Sequence, residues 1–257
     1  MGYDILEKFK LDGKVCLVTG ASRGLGRAMA VALGGAGADV AAVARSEKAI
    51  EETAEAIKEQ GRRAIAVPCD LHDSKSVTAM VERVLAEFGQ IDVLVNNAGG
   101  GEMKPLIEMS EDEWLRIVDL NVNATFRICK AIGPHMIKRR KGKVINMSSM
   151  YGLVGEKNIS AYCASKGAII QFTRALALEW AEHNITVNAL APGYIYTERT
   201  SRVFDDPDIG AALTRRVPIG RIGQPKELGP LVIYLASDAS DFMTGSVIVI
   251  DGGQTAA

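Results

Sequence analysis

Val15-Cys16-Leu17-Val18-Thr19-Gly20-Ala21-Ser22-Arg23-Gly24-Leu25-Gly26 is the stretch on which the fold turns. Its first four residues are apolar without interruption, which reads as a strand buried on both faces. The glycines that follow are spaced G-x-x-x-G-x-G and open a helix. Bare backbone in such a turn lets a pyrophosphate approach, and the helix N-terminus supplies N–H groups and positive dipole. Gly20, Ser22, Arg23, Gly24, Leu25 and Gly26 are therefore candidate phosphate contacts.

The same alternation runs outward to both ends of the chain. Apolar runs at 15–18, 40–44, 64–67, 93–95, 144–147, 186–190 and 247–250 read as strands. Amphipathic stretches at 48–60, 75–88, 113–138, 161–181 and 226–235 read as helices. Near-continuous apolar strands separated by helices predict an α/β protein with a doubly wound parallel sheet, helices on both faces. No linker, low-complexity stretch or internal repeat interrupts the pattern, so residues 1–257 are expected to form a single domain.

Composition narrows the function. The chain has 257 residues, 47% hydrophobic and 24% charged, which is ordinary for a soluble globular protein. A net charge of −1 speaks against nucleic acid as a partner. The four cysteines (16, 69, 129, 163) lack Cys-x-x-Cys pairing and the three histidines do not cluster with them. They read as reduced thiols of a cytoplasmic protein with no metal site. No apolar run reaches membrane-span length, residues 1–10 are too charged for a signal peptide, and Leu6 removes the context for myristoylation at Gly2.

The end of the second strand selects the cofactor. An acidic residue there holds a ribose 2′-hydroxyl, whereas cations suit a 2′-phosphate. Ala44 is followed by Arg45 and Ser46, with Arg23 in the glycine turn, so NADP is expected over NAD unless both arginines are merely solvated. Asp70 and Leu71 follow the third strand, where Asp70 either meets the adenine amino group or serves a turn or helix cap. Asn96-Asn97-Ala98-Gly99-Gly100-Gly101 follows the fourth strand and Pro192-Gly193-Tyr194-Ile195-Tyr196-Thr197 the sixth. Both lie at the carboxyl edge, where open α/β sheets bind ligands. The segment 194–216, charged and weakly periodic, reads as a substrate lid or a mobile surface excursion.

Chemistry enters with Ser148-Ser149-Met150-Tyr151-Gly152 and Tyr162-Cys163-Ala164-Ser165-Lys166. Four residues apart on a helix, Tyr162 and Lys166 share a face, and Ser149 ends the strand before them. A phenol ionises near pH 10 and is a poor base at neutrality. An ammonium about 5 Å away, at an effective dielectric of about 20, favours the phenolate by roughly 3 kcal/mol. That fits Tyr162 to exchange a proton with an alcohol or ketone whose oxygen Ser149 holds. Asn121, inside the stretch 113–138, holds a water or a carbonyl near Lys166 or else marks the solvent side.

With these residues in order and at these spacings, the chain resembles the short-chain dehydrogenase/reductase family over nearly its full length. Thr19 to Gly26, Asp70, Asn96 to Gly99, Asn121, Ser149 thirteen residues before Tyr162, Lys166, Pro192-Gly193 with Thr197, and Gly245 with Asp251-Gly252-Gly253 carry the resemblance. It implies a Rossmann fold with seven parallel strands and a catalytic tetrad of Asn121, Ser149, Tyr162 and Lys166, with Asn121 anchoring a water. It also implies cofactor contacts from Tyr162, Lys166, Asn97, Ala98, Gly99, Pro192, Gly193, Ile195 and Thr197, and a homotetramer built on the helices near 114–138 and 161–181.

The sequences around Ser149 and Gly193 look like those of sugar-acid dehydrogenases, while Arg221-Ile222-Gly223-Gln224-Pro225 is shared with 3-oxoacyl-carrier-protein reductases. A small acid would be held by Asn158, Tyr151 and an arginine from beyond Thr197. A carrier protein would need a basic patch such as Lys138-Arg139-Arg140-Lys141, a run equally suited to a helix C-terminus. His183 stands where such reductases have a second basic residue. The resulting expectation is an NADP-preferring oxidoreductase interconverting a secondary alcohol and a ketone of a small polar hydroxy compound such as a sugar acid. The runner-up is a carrier-protein reductase, and a nucleotide sensor without turnover is the remote alternative.

Overall fold

The computed structural model describes residues 4–256. Gly2, which the sequence reads as no myristoylation site, lies outside them, as do the other residues before position 4. Seven parallel strands form one sheet: β1 (Val15–Thr19), β2 (Asp39–Ala44), β3 (Ala64–Pro68), β4 (Val93–Asn96), β5 (Gly142–Met147), β6 (Ile185–Pro192) and β7 (Val247–Ile250). Their order is β3-β2-β1-β4-β5-β6-β7, so the winding reverses between β1 and β4. The carboxyl ends of those two strands diverge there and leave the crevice in which ligands of such sheets bind.

Alternation along β1 assigns the two faces. Cys16 and Val18 pack with Met29 and Leu33 of α1 (Gly24–Gly35), Ile50 and Ile57 of α2 (Glu47–Lys58) and Val232 and Leu235. Val15 and Leu17 pack with Val81 and Val84 of α3 (Ser74–Phe88), Ile132 and Met136, and Trp180. Each core is apolar because β1, buried on both sides, offers no polar face. Local signals set the helix ends: the Asp73 carboxylate caps α3 and Gly89, at φ 77°, ends it.

The expected stretch 113–138 is not one helix. It comprises α4 (Glu111–Val118), a π-helical turn (Asp119–Asn123) and α5 (Ala124–Arg139). Stretch 161–181 is α6 (Ser160–Ala181). The segment 194–216, expected without strong periodicity, carries two short helices, α7 (Ser201–Phe204) and α8 (Pro207–Arg215), the latter capped by the Asp206 carboxylate and started by Pro207. The stretch 226–235 divides into a 3-10 turn (Pro225–Leu228) and α9 (Gly229–Ala236).

The divergent ends of β1 and β4 are sewn together by one threonine. The buried Thr19 Oγ1 accepts the backbone N–H groups of Asn97 and Ala98 at 3.0 and 3.1 Å and donates to Val95 O at 3.3 Å. Asn97 Nδ2 returns the tie to Thr19 O at 2.9 Å. Thr19→Val keeps the shape but leaves the Ala98 N–H without an acceptor and the Asn97 N–H with Val95 O alone, and an unpaired buried donor costs about 1–3 kcal/mol. Urea denaturation is expected to show a loss of about 2–3 kcal/mol for Thr19→Val and about 1 kcal/mol for Thr19→Ser, which keeps the hydroxyl. Equal losses in the two variants would rule the hydroxyl out as the source.

Candidate active site

Ser149 leaves the end of β5 and opens a 3-10 turn (Met150–Gly152). That turn lies directly on α6: a Cβ on Gly152 would stand 2.7 Å from both Lys166 O and Ser148 Oγ. Ser148 Oγ donates to Lys166 O at 2.8 Å, which locks the turn to the helix and sets Ser149 beside Tyr162. The buried Lys166 Nζ donates to Met147 O at 2.7 Å and stands 5.6 Å from the centre of the Tyr162 ring. The structure therefore brings Ser149, Tyr162 and Lys166 together.

Asn121 lies behind them, in the π-helical turn and only 1% exposed. Its Oδ1 accepts from Gly100 N, and its Nδ2 donates to Gly100 O and Ser165 Oγ, each at 2.8 Å. Ser165 Oγ in turn donates to Tyr162 O at 2.8 Å. Both ends of the amide are thus bound to the glycine loop and to α6. The carbonyl that Asn121 holds is Gly100 O, while the one that meets Lys166 Nζ is Met147 O.

The electrostatics differ from the expectation that Lys166 pulls the phenol down. Burial pushes the Tyr162 phenol above its ordinary value, against the Ser149 hydroxyl and the Arg199 guanidinium, which draw it down. Burial and then Arg199 push the Lys166 ammonium down to about 8. Both members of the pair resist charge because α6 and β5 hold them away from water, a cost that spacing along a helix does not reveal.

Every residue singled out for the cofactor lines one cavity of about 980 Å³, together with Ser149. Several features fit a dinucleotide phosphate. The N-terminus of α1 has no side-chain cap at Arg23, so its N–H groups face the cavity unclaimed by a side chain. A Cβ on Gly26 would collide with Gly20 O, so only glycine permits this close turn. Ser46, at the N-cap of α2, also makes no capping bond, which leaves its hydroxyl beside the exposed Arg45. Asp70 is a turn residue, its Oδ1 accepting from His72 N at 3.0 Å, and α3 is capped by Asp73 instead. Asn96 lies inside the sheet, donating to Asn146 Oδ1 at 2.9 Å, and is absent from the cavity lining.

Beyond Tyr162 the cavity widens between the turn after β5 and the α7–α8 segment. Tyr151, Asn158, Tyr194, Arg199 and Arg216 line it. The Tyr151 and Tyr194 hydroxyls meet at 2.8 Å, and Arg216 pairs with Glu156 at 2.5 Å. Sequence reading counted Arg199 and Arg216 only among the charges of the lid segment, without choosing the substrate arginine, and did not name Glu156, since these roles depend on contacts between distant segments. The two arginines of the basic run before β5 are engaged elsewhere, while Lys138 and Lys141 are exposed. Arg139 binds the buried Asp92 at 2.8 Å, below the amino ends of β1 and β4, and Arg140 donates to Glu182 O at 2.6 Å.

Comparison with known proteins follows the geometry. A family model described as Enoyl-(Acyl carrier protein) reductase matches residues 20–255. The 2-dehydro-3-deoxy-D-gluconate 5-dehydrogenase of Dickeya dadantii is 42% identical over 97% of this chain and 98% of its own. The 3-oxoacyl-acyl-carrier-protein reductase of Pseudomonas aeruginosa is 40% identical over 95% of this chain and 98% of its own. A gluconate 5-dehydrogenase from Burkholderia cenocepacia, solved with NADP and tartrate, superposes with a TM-score of 0.95 at 37% identity, covering 99% of this chain and 100% of that one.

The buried Lys166 makes stability depend on pH. With its folded value lowered to about 8 from an ordinary 10.5, the unfolded chain binds the extra proton between those values, so stability rises with pH across that window. Lys166→Met removes the dependence. Urea denaturation of both proteins at pH 7 and pH 9.5 is expected to show the wild type gaining about 2 kcal/mol relative to the variant. An unchanged difference would place the ammonium in water.

Proposed function

The chain belongs to the short-chain dehydrogenase/reductase family, and from that premise we propose that it interconverts a secondary alcohol and a ketone of a small sugar acid with NADP. The observation that carries the reading is the convergence of Ser149, Tyr162 and Lys166 on one cavity that Arg23 and Arg45 also line beside the glycine turn. Names of two of the relatives agree with it, since a 5-dehydrogenase of a gluconate derivative and a gluconate 5-dehydrogenase holding NADP match over nearly full length.

Bound NADP would supply the hydride acceptor or donor. The chain's own residues handle the oxygen and the proton. Ser149 holds the reacting oxygen by a hydrogen bond, and Tyr162 takes or gives the proton at its hydroxyl. Lys166, fixed by Met147 O, supplies the positive charge beneath the ring. Asn121 keeps the Gly99–Gly101 backbone against α6, so it serves by position. Gly20, Ser22, Gly24 and Gly26 would cradle the pyrophosphate, and Arg23, Arg45 and Ser46 the 2′-phosphate. With Ala44 at the end of β2, no carboxylate stands there to favour NAD.

Engagement of Arg139 and Arg140 below the amino edge of the sheet favours the small acid over a carrier-bound thioester, because the run is no free patch at the mouth of the cavity. Presence of all four tetrad residues favours turnover over nucleotide sensing. Self-association as a homotetramer is supported by Leu115, Phe126 and Leu178, exposed on α4, α5 and α6. A cytoplasmic setting is supported by four unpaired cysteines. Among the described residues no helix is long and apolar enough to cross a membrane.

Two experiments test the reading. Tyr162→Phe keeps the packing and removes the proton, so turnover of the best substrate in a panel of hydroxy acids and polyols is expected to fall by about 10² or more, with NADPH affinity in a fluorescence titration unchanged. Retention of a tenth of the rate would remove Tyr162 from the chemistry, and turnover of a carrier-bound 3-oxoacyl thioester alone would replace the sugar acid. Ala44→Asp with Arg45→Ile is expected to reverse the preference toward NAD, since charge-assisted bonds to a phosphate contribute about 1.5–3 kcal/mol. Comparable efficiency of the unaltered protein with both nucleotides would show Arg45 and Arg23 to be solvated.

A further inference from the structure

The three consecutive glycines Gly99, Gly100 and Gly101 separate the catalytic pair from one guanidinium. Arg199 reaches from the turn before α7 across the cavity, donating from Nη1 to Gly99 O at 3.2 Å and from Nη2 to Gly101 O at 2.7 Å. A Cβ on Gly100 would run into that guanidinium. On the far side of the same backbone, a Cβ on Gly99 would stand 3.2 Å from Lys166 Nζ and one on Gly101 would stand 2.7 Å from the Tyr162 ring. Arg199 is thus one backbone's thickness from the Tyr162 ring and the Lys166 ammonium, and its charge acts on both.

The other cations of the cavity are committed or remote. Arg216 is paired with Glu156 at 2.5 Å, and Lys166 is turned into Met147 O. Arg23 and Arg45 lie with the glycine turn and the end of β2, at the opposite end. Lys157 lines the cavity as an exposed side chain and makes no bond to the glycine loop, where Arg199 is fixed. No carboxylate among the described residues lies within 4.0 Å of the Arg199 guanidinium, whose charge is offset only by carbonyl dipoles. A guanidinium has five N–H groups in a planar fork, and the loop uses two, which leaves three for a ligand. That geometry matches a carboxylate held through two parallel bonds.

We propose that Arg199 anchors the carboxylate of the acid substrate and so selects hydroxy or keto acids over neutral polyols of the same length. The proposal rests on the sugar-acid reading above and assigns its recognition to one residue. Glycine at position 100 follows from it, because any side chain there would displace the anchor. The anchor also belongs to the segment that carries α7 and α8, so a bound carboxylate adds a tie between that segment and the glycine loop.

The test compares Arg199→Gln, Arg199→Lys and Lys157→Gln with the unaltered protein. Substrates are an aldonic acid and the polyol in which a hydroxymethyl group replaces its carboxylate, the polyol being read as a competitive inhibitor if it is not turned over. Gln keeps hydrogen bonds to the loop carbonyls and loses the charge. For Arg199→Gln, kcat/KM on the acid is expected to fall about tenfold to a hundredfold, chiefly through KM, while the constant for the polyol changes by less than about threefold. Arg199→Lys is expected to recover part of the loss, because charge returns without the fork. Equal losses on acid and polyol would reduce Arg199 to a strap on the loop and overturn the proposal. Loss of acid selectivity in Lys157→Gln with none in Arg199→Gln would overturn it in favour of Lys157. If the unaltered protein turns over no acid while reducing other ketones, the sugar-acid reading fails first and this proposal with it.

Discussion

The Thr19 hydroxyl, accepting two backbone N–H groups where β1 and β4 part, is the constraint on which the site depends. Parallel strands on either side of a winding reversal drift apart, and nothing in the sheet ladder holds their loops in register beyond the last paired residues. Thr19 and the return bond from Asn97 fix the glycine turn of one strand to the Asn97–Gly101 loop of the other. The phosphate cradle and the floor of the reaction centre are therefore one rigid piece. Asn121 fastens the far end of that piece to α6, and with it to Tyr162 and Lys166.

Within that frame, burial rather than proximity sets the acid–base properties. A phenol and an ammonium a few ångströms apart in water would each favour the other's charge. Held between β5 and α6 they lose solvation, and each moves toward its neutral form. Arg199, a positive charge on the open side of the loop, lowers both values, so it opposes burial at Tyr162 and adds to it at Lys166.

Much of this was legible in the chain because it is local. The strands announce themselves as apolar runs, and most ends fall a residue or two short because Thr19, Asp39, Pro68, Asn96, Gly142, Lys143 and Pro192 pair through backbone that carries no apolar signal. Ile185 and Ala191 of β6 are apolar residues that the run at 186–190 left out. Ser149, Tyr162 and Lys166 are near neighbours in sequence, so a strand end and one helical turn bring them together. The π-helical turn at Asp119–Asn123 is hidden because one extra residue hardly disturbs apolar spacing over a long stretch. In α8 the Asp206-Pro207 start was present but the periodicity after it was weak. The contacts of Arg199 with Gly99 and Gly101 span 100 and 98 residues of sequence, and no pattern along the chain encodes them. Paired Asn96 and Asn97 serve different places, because β4 ends at Asn96: one side chain lies inside the sheet and the other ties the turn beyond it.

The π-helical turn restricts how this element can change length. Each residue of a regular helix rotates the next by about 100°. Removing one residue between α4 and α5 to give an unbroken α-helix would swing Asn121 by about that angle relative to one of its flanks. Its amide would leave either Gly100 or Ser165, which it now joins. Substitutions on the outer face of α4 and α5 leave that bridge intact, whereas a single deletion severs it. The residue count of this connection, rather than the identity of most of its side chains, is what the reaction centre requires.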